Sequence, residues 1–256
     1  LNDVHLGCHW FSAAGVMREV LASGDEVSSV RCARSAVEAL LDWGTDRLVI
    51  KGDLVQDSTD HEWDLAHEVL GDLPIPLDVC LGNHEVLRTP RAVPVRDGLA
   101  RLGSELEAAV RVRELGGVRM VVADTAVHGL HHGHSDHVLE DLVAAVEVDR
   151  PVELFIHHSL EPSRTTIPFP PSIRAPESHR LLDALAEANP AVFVASGHTH
   201  RRARRLRERA HAGHTHERHG RSPLLLQARY CRPDCGLTTH EPDDHPSQCH
   251  ASSTQS

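Results

Sequence analysis

Four apolar runs in this chain each lead into residues that bind metal ions. Arg47 to Lys51 runs into Gly52-Asp53, and Leu77 to Leu81 runs into Gly82-Asn83-His84-Glu85. Val152 to Ile156 runs into His157-His158, and Val194-Ala195-Ser196 runs into Gly197-His198-Thr199-His200. A fifth fragment, Asp3-Val4-His5, opens the chain. Short apolar runs bounded by glycine read as buried strands. The carboxyl ends of such strands, at one edge of an α/β sheet, are where these folds build their sites. Strand ends that carry Asp, Asn and His therefore restrict the chain to folds that gather them, and they point to one polynuclear metal centre.

The rest of the pattern agrees with an α/β chain. Helices are expected over 33–43, 60–70, 98–109, 138–148 and 177–188. Strands are expected over 47–51, 77–81, 118–123, 152–156 and 191–195, with loop and short helix over 8–30. This alternation implies βαβ units around a mixed or parallel sheet. Apolar residues make up 40 % of the 256 residues, enough for a core, but aromatics only 3 %, so the core is built of Val, Leu and Ala. The charge of -11, from 26 basic and 37 acidic residues, speaks against a nucleic-acid or anionic-membrane surface. Lys51 is the sole lysine, which reads as the codon usage of a GC-rich genome. No apolar run is long enough to span a membrane. The scattered cysteines suit an intracellular chain, so the expected compartment is the cytoplasm. The chain starts at Leu1, so an upstream segment is left open.

After Ala203 the composition changes. Residues 204–256 hold no Val, Ile, Phe, Trp or Met, and Leu224-Leu225-Leu226 is their one apolar run. Such a segment buries too little surface to offset its ordering entropy. Two regions are thus expected: 1–203, and a His/Arg/Cys-containing tail over 204–256 that is disordered or out of its original reading frame. A zinc-binding appendage using Cys231, Cys235, Cys249 and a histidine is a weaker reading of the tail. A second Gly-His-Thr-His at 213–216 follows no apolar run and reads as coincidence.

Taken in order, Asp-x-His, Gly-Asp, Gly-Asn-His-Glu, His and Gly-His-x-His resemble the calcineurin-like metallophosphoesterase superfamily, over residues 1–203. The Gly-Asp-Leu and Gly-Asn-His-Glu forms are most similar to its bacterial cyclic-nucleotide-phosphodiesterase-like branch. The resemblance implies a four-layer α/β/β/α sandwich, here incomplete at both ends. The strand before Asp3 is missing, and so are the Val/Ile-rich strands expected after Gly-His-x-His. It implies a first metal ion on Asp3, His5, Asp53 and His200. A second would sit on Asp53, Asn83, His157 and His198, with Asp53 bridging. The ions would be Mn, Fe, Zn or Co, which carboxylate, amide and imidazole ligands all accept. A hydroxide between them would attack phosphorus. His84 would assist as the catalytic residue, and Glu85 would orient a neighbour.

Of the adjacent histidines, His157 is chosen as the ligand because neighbours on a strand point opposite ways. Asp3, two residues from a terminus, would be poorly held if that terminus frays. The loop of His128, His131, His132, His134 and His137 either lines a cleft or is merely solvated. The implied substrate is a small phosphoester, a diester in preference to a monoester, with cyclic nucleotides among the diesters allowed. The oligomeric state is open. A metal-binding fragment without catalysis is the alternative, but it would call for a broken ligand set or a lost His84.

Overall fold

The computed structural model describes residues 1–7, 10–13, 16–19, 28–87, 91–104, 108–160, 172–199, 203–207 and 224–228. The elements follow as β1 (Trp10–Ala13), β2 (Val16–Glu19), α1 (Ser28–Asp42), β3 (Leu48–Lys51), α2 (Asp60–Leu70), β4 (Leu77–Cys80), the one-turn α3 (Asn83–Val86) and α4 (Val95–Arg101). Next come β5 (Val110–Leu115), β6 (Val118–Ala123), a 3-10 turn over Asp136–Val138 leading into α5 (Leu139–Val146), β7 (Val152–Ile156), α6 (Ala175–Ala188), β8 (Val192–Ser196), β9 (Ala203–Arg207) and β10 (Leu224–Ala228).

Among the described residues, β3 and β4 form one parallel pair, and a second sheet has the order β5-β6-β7-β8-β10-β9. In that sheet β6, β7, β8 and β10 run parallel, while β5 and β9 are antiparallel to their neighbours. Strand periodicity sorts the side chains into layers. Leu48 and Ile50 pack with Trp63 and Leu70 of α2 and Val37 of α1, on one outer face. Val121, Ala123, Leu154 and Ile156 pack with Leu142 of α5 and Leu181 and Leu185 of α6, on the other. The alternate residues Val49, Cys80, Met120, Val122 and Phe155 meet in the middle, between the sheets. The result is the expected helix, sheet, sheet, helix sandwich.

Local chemistry explains the best-matched elements. Helix α2 begins with a capping box, in which Thr59 accepts from the Glu62 amide and Glu62 accepts from the Thr59 amide. Pro176 sits in the first turn of α6, where no amide hydrogen is needed.

The structure departs from the sequence expectations in four places. The first six residues are not frayed. The Leu1 amine donates to Val49 O, Lys51 N to Leu1 O, Asp3 N to Gly52 O and His5 N to Asp53 O, so the segment lies as a parallel line beside β3. Within the 8–30 stretch expected as loop and short helix, the described residues Trp10–Ala13 and Val16–Glu19 pair as antiparallel strands β1 and β2. The helix expected over 98–109 is α4, which ends at Arg101, and β5 follows from Val110, where Gly116 and Gly117, both at positive φ, turn the chain back into a hairpin with β6. Finally, two stretches assigned to a disordered tail are strands. The tail's apolar run falls in β10, which pairs with β8, and β9 pairs with β10 at the edge of the sheet. The rest of the tail, with its cysteines, lies outside the described residues.

Cys80 is a buried free thiol. Cys32, on α1, is disulfide-bonded. No helix among the described residues is long and apolar enough to cross a membrane.

Leu154 is fully buried between β7 and the α5/α6 layer. Leu154→Ala is expected to cost about 2–5 kcal/mol of stability. Urea unfolding should show a lower midpoint at unchanged slope.

Candidate metal centre

The site is built where β3, β4, β7 and β8 end, and its backbone is strained there. Among the described residues, five non-glycine residues have positive φ: Asp3 (50°), His5 (48°), Asp53 (51°), Ser58 (55°) and His198 (65°). Such conformations are rare outside glycine and cost free energy, so they persist only where the surroundings over-determine them. All but Ser58 are residues that the sequence motifs single out.

Two glycines allow the close approach. Gly52, at φ 85°, would place a Cβ 2.5 Å from His157 Nδ1 and 2.7 Å from the Gly82 nitrogen. A Cβ on Gly82 would lie 2.3 Å from Asp53 Oδ1. The Gly-Asp and Gly-Asn-His-Glu motifs are therefore pressed against each other, and any side chain at either glycine would part them.

Glu85 fastens the two motifs. Its Oε2 accepts from the amides of Asp53 (2.9 Å) and Gly82 (2.7 Å). Its Oε1 accepts from Leu54 (2.7 Å) and Val55 (3.2 Å). Burial and then the Asp53 carboxylate push the Glu85 carboxyl up, against the pull of His157 and the backbone amides. Ser58 adds a hydroxyl donated to the carbonyls of His84 (3.1 Å) and Glu85 (3.2 Å).

The donor atoms converge on Asp53 from two sides. On one side His157 Nε2 stands 3.2 Å from Asp53 Oδ2, 3.3 Å from Asn83 Oδ1 and 3.1 Å from His198 Nδ1. Atoms bound to one ion at ~2.0–2.2 Å stand roughly 3.0–3.5 Å apart, and the three distances from His157 Nε2 fall in that range. On the other side His5 Nε2 is 3.8 Å from Asp53 Oδ2. His5, Asp53 and His84 bring ligand atoms within 4.8 Å of one another, as do Asp3, Asp53 and His157. Asp3 Oδ1 accepts from the His198 amide at 2.8 Å, and Asp3 Oδ2 accepts from Asn2.

Hydrogen bonds orient the rings. His157 Nδ1 donates to Lys51 O at 2.8 Å, which turns Nε2 toward the other donors. His84 Nδ1 donates to Gln56 O at 2.5 Å, and its own amide donates to Asp53 Oδ1 at 3.0 Å. Burial opposes ionisation here, yet His157, followed by His84 and His5, holds the Asp53 carboxyl well below its ordinary range. Conversely, although burial alone would lower it, Asp53 pushes His157 up to about 9.

Of the residues expected from sequence, Asp3, His5, Asp53, Asn83, His84, His157 and His198 are brought together, and His200 lies outside the described residues. The neighbour rule fails at His158. The strand stops at Ile156, so alternation no longer applies, and His158 is buried with a ring nitrogen in one candidate group with His157 and His198. Its Nδ1 meets Thr125 Oγ1 at 2.9 Å, and burial followed by the His157 and His198 charges drives its pKa well down. The histidine loop flanks the centre: His128 Nδ1 donates to Val86 O at 2.6 Å, and His134 Nδ1 lies 3.3 Å from Glu177 Oε2. None of its histidines enters a candidate ligand group among the described residues.

Sequence reasoning missed Asp124, whose carboxylate takes Arg111 in a buried ion pair at 2.7 Å and also accepts from the Leu81 amide at 2.8 Å. The signal was present, since Asp124 closes an apolar strand, but it follows no glycine and belongs to no ligand motif.

Comparison with known proteins bears on this arrangement. Residues 1–202 match the family model of the calcineurin-like phosphoesterases. The chain is 30 % identical over 207 residues to the glycerophosphodiester phosphodiesterase GpdQ of Enterobacter lignolyticus (strain SCF1), covering 78 % of this chain and 69 % of that protein. A dimetal phosphatase from Danio rerio superposes with a TM-score of 0.63 at 16 % identity, covering 91 % of this chain and 88 % of that one. The purple acid phosphatase PPD1 of yellow lupin (Lupinus luteus) seeds gives 0.59 at 15 % identity, covering 89 % and 42 %. At these identities the two structures speak for the fold. The family and the donor groups together point to divalent metal ions. The chain therefore belongs to the calcineurin-like phosphoesterases, hydrolases whose reaction is metal-dependent cleavage of phosphoesters.

Proposed function

We propose that this protein hydrolyses a small phosphodiester with two divalent ions held on either side of Asp53. The observation that carries the reading is the position of Asp53 Oδ2, which faces His157 Nε2 at 3.2 Å and His5 Nε2 at 3.8 Å. One carboxylate is thus offered to two ligand groups. Asp3, His5 and His200 complete the first with Asp53; Asn83, His157 and His198 complete the second. Ions held by these residues would neutralise charge on the phosphoryl oxygens and would supply a nucleophile at neutral pH.

The chain's own groups do the remaining work. The surrounding histidines keep Asp53 ionised and ready to share its oxygens. The carbonyls of Lys51 and Gln56 fix the Nδ1 protons of His157 and His84, so each ring presents Nε2. For His157 that nitrogen is a ligand. For His84, with the ring protonated at both nitrogens, Nε2 would give its proton to the ester oxygen that leaves, and the ring would then be left neutral with Nδ1–H still on Gln56 O. The preference for a diester rests on the 30 % identity to a glycerophosphodiester phosphodiesterase.

Three outcomes are expected. With Mn²⁺ added, bis(p-nitrophenyl) phosphate should be cleaved faster than p-nitrophenyl phosphate, and EDTA should abolish both. Faster monoester cleavage would make the protein a phosphatase, and a metal-replete protein inert toward both would be a binding module. His84→Ala should lower kcat by about 10²–10⁴-fold with unchanged metal content by elemental analysis. Loss of metal instead would make His84 a ligand.

Metal uptake should also depend on pH. In the metal-free protein His157 is protonated up to about pH 9, and an ion binds only its neutral form. Raising the pH toward 9 therefore strengthens binding, by up to about tenfold per pH unit for one proton, and the gain stops above it. Calorimetry in buffers of different ionisation heat should show a proton released at pH 7; release of none would contradict the assignment of His157.

A further inference from the structure

Lys51 is the only lysine among 26 basic residues, so 26 - 1 = 25 are arginines. The one ammonium side chain of the sequence stands at a buried position. Lys51 ends β3, and by strand periodicity its side chain follows Val49 toward the layer between the sheets. There its Nζ donates to Ser196 O at 2.9 Å, joining segments 145 residues apart. Ser196 ends β8 and immediately precedes Gly197-His198.

The turn after β8 is gripped at successive residues. Lys51 holds the Ser196 carbonyl, His157 O accepts from Gly197 N at 2.9 Å, and Asp3 Oδ1 accepts from His198 N at 2.8 Å. Lys51 also accepts from His157 Nδ1 through its own carbonyl at 2.8 Å. One residue therefore orients one imidazole with its backbone and the turn of another with its side chain. His198 needs that support, because it is held at φ 65°. Lysine suits the place better than arginine, since a compact ammonium on a flexible stem can reach a single carbonyl where a planar guanidinium presents a broad fork. Burying a charge is costly unless it is hydrogen-bonded, a need that the Ser196 carbonyl meets.

We propose that Lys51 is a positioning residue for the ion held by Asn83, His157 and His198, setting the β8 turn against the end of β3. This rests on the two-ion reading above. Groups that orient ligands from behind are worth about 10–100-fold in metal affinity.

The test is Mn²⁺ calorimetry on the metal-free wild type, Lys51→Met, Lys51→Arg and Asn83→Ala, with thermal unfolding alongside. The wild type should take two ions, and Asn83→Ala identifies the binding step that belongs to the second. Lys51→Met should weaken that step about 10–100-fold and leave the other unchanged. Lys51→Arg keeps the charge, and so carries the test if the Met variant does not fold; it should weaken the same step. Wild-type affinity at both steps in either folded variant would overturn the proposal. So would equal weakening of both steps in proportion to lost thermal stability, which marks a purely structural role. A wild type that takes fewer than two ions would overturn the two-ion reading, and the proposal with it.

Discussion

The Glu85 carboxylate is the fixture on which the centre depends. It is fully enclosed and takes the amides of Asp53, Leu54, Val55 and Gly82. Each of those amides belongs to a turn rather than to a ladder, and a buried amide left without an acceptor is costly. By collecting them, one side chain satisfies the end of β3 and the end of β4 together. It thereby holds Asp53 in a left-handed conformation that a free chain would seldom visit. The glycines at 52 and 82 are the steric condition for this, since a Cβ on either would strike the other motif.

The second sheet must be referenced to the first with similar accuracy, because His157 and His198 hang from one and Asp53 and Asn83 from the other. Apolar packing of Val49, Cys80, Met120, Val122 and Phe155 brings the sheets together but is non-directional. Direction comes from polar links through that layer. Arg111 pairs with both oxygens of Asp124 and donates to Val79 O, while Asp124 accepts from the Leu81 amide. Bidentate geometry of this kind adds orientation as well as energy. Lys51 to Ser196 and His157 to Lys51 O complete the set nearer the ligands.

Electrostatically the centre is assembled against its own preference. Asp53, His157, His158 and His198 are all buried, and burial disfavours charge in each. The protein answers by pairing Asp53 with His157 and leaving His158 neutral, its Nδ1 set against Thr125. A cation at this place would take over the role of the His157 proton, in a frame whose strain is already met by Glu85 and Asp3.

Much of this was legible in the sequence, because it is local. The span of α2 follows from its capping box and apolar face, and β6 and β7 follow from unbroken apolar runs. The candidate donors from Asp53 onward stand out because each follows such a run, and a strand end determines where its next residues lie. What the sequence alone determined was thus the type of the most regular elements and a set of candidate donors. Tertiary structure decided what depends on distant partners. Leu1 to Leu6 are ordered only because β3 lies beside them, and the β5 hairpin has too little apolar content to announce itself. Likewise, β10 exists as a strand only against the free edge of β8. His158 turns inward because the strand has already ended, and the Lys51 ammonium finds Ser196 across 145 residues of chain. Periodicity says which residues share a face, but what that face meets is settled only when the sheets close on each other.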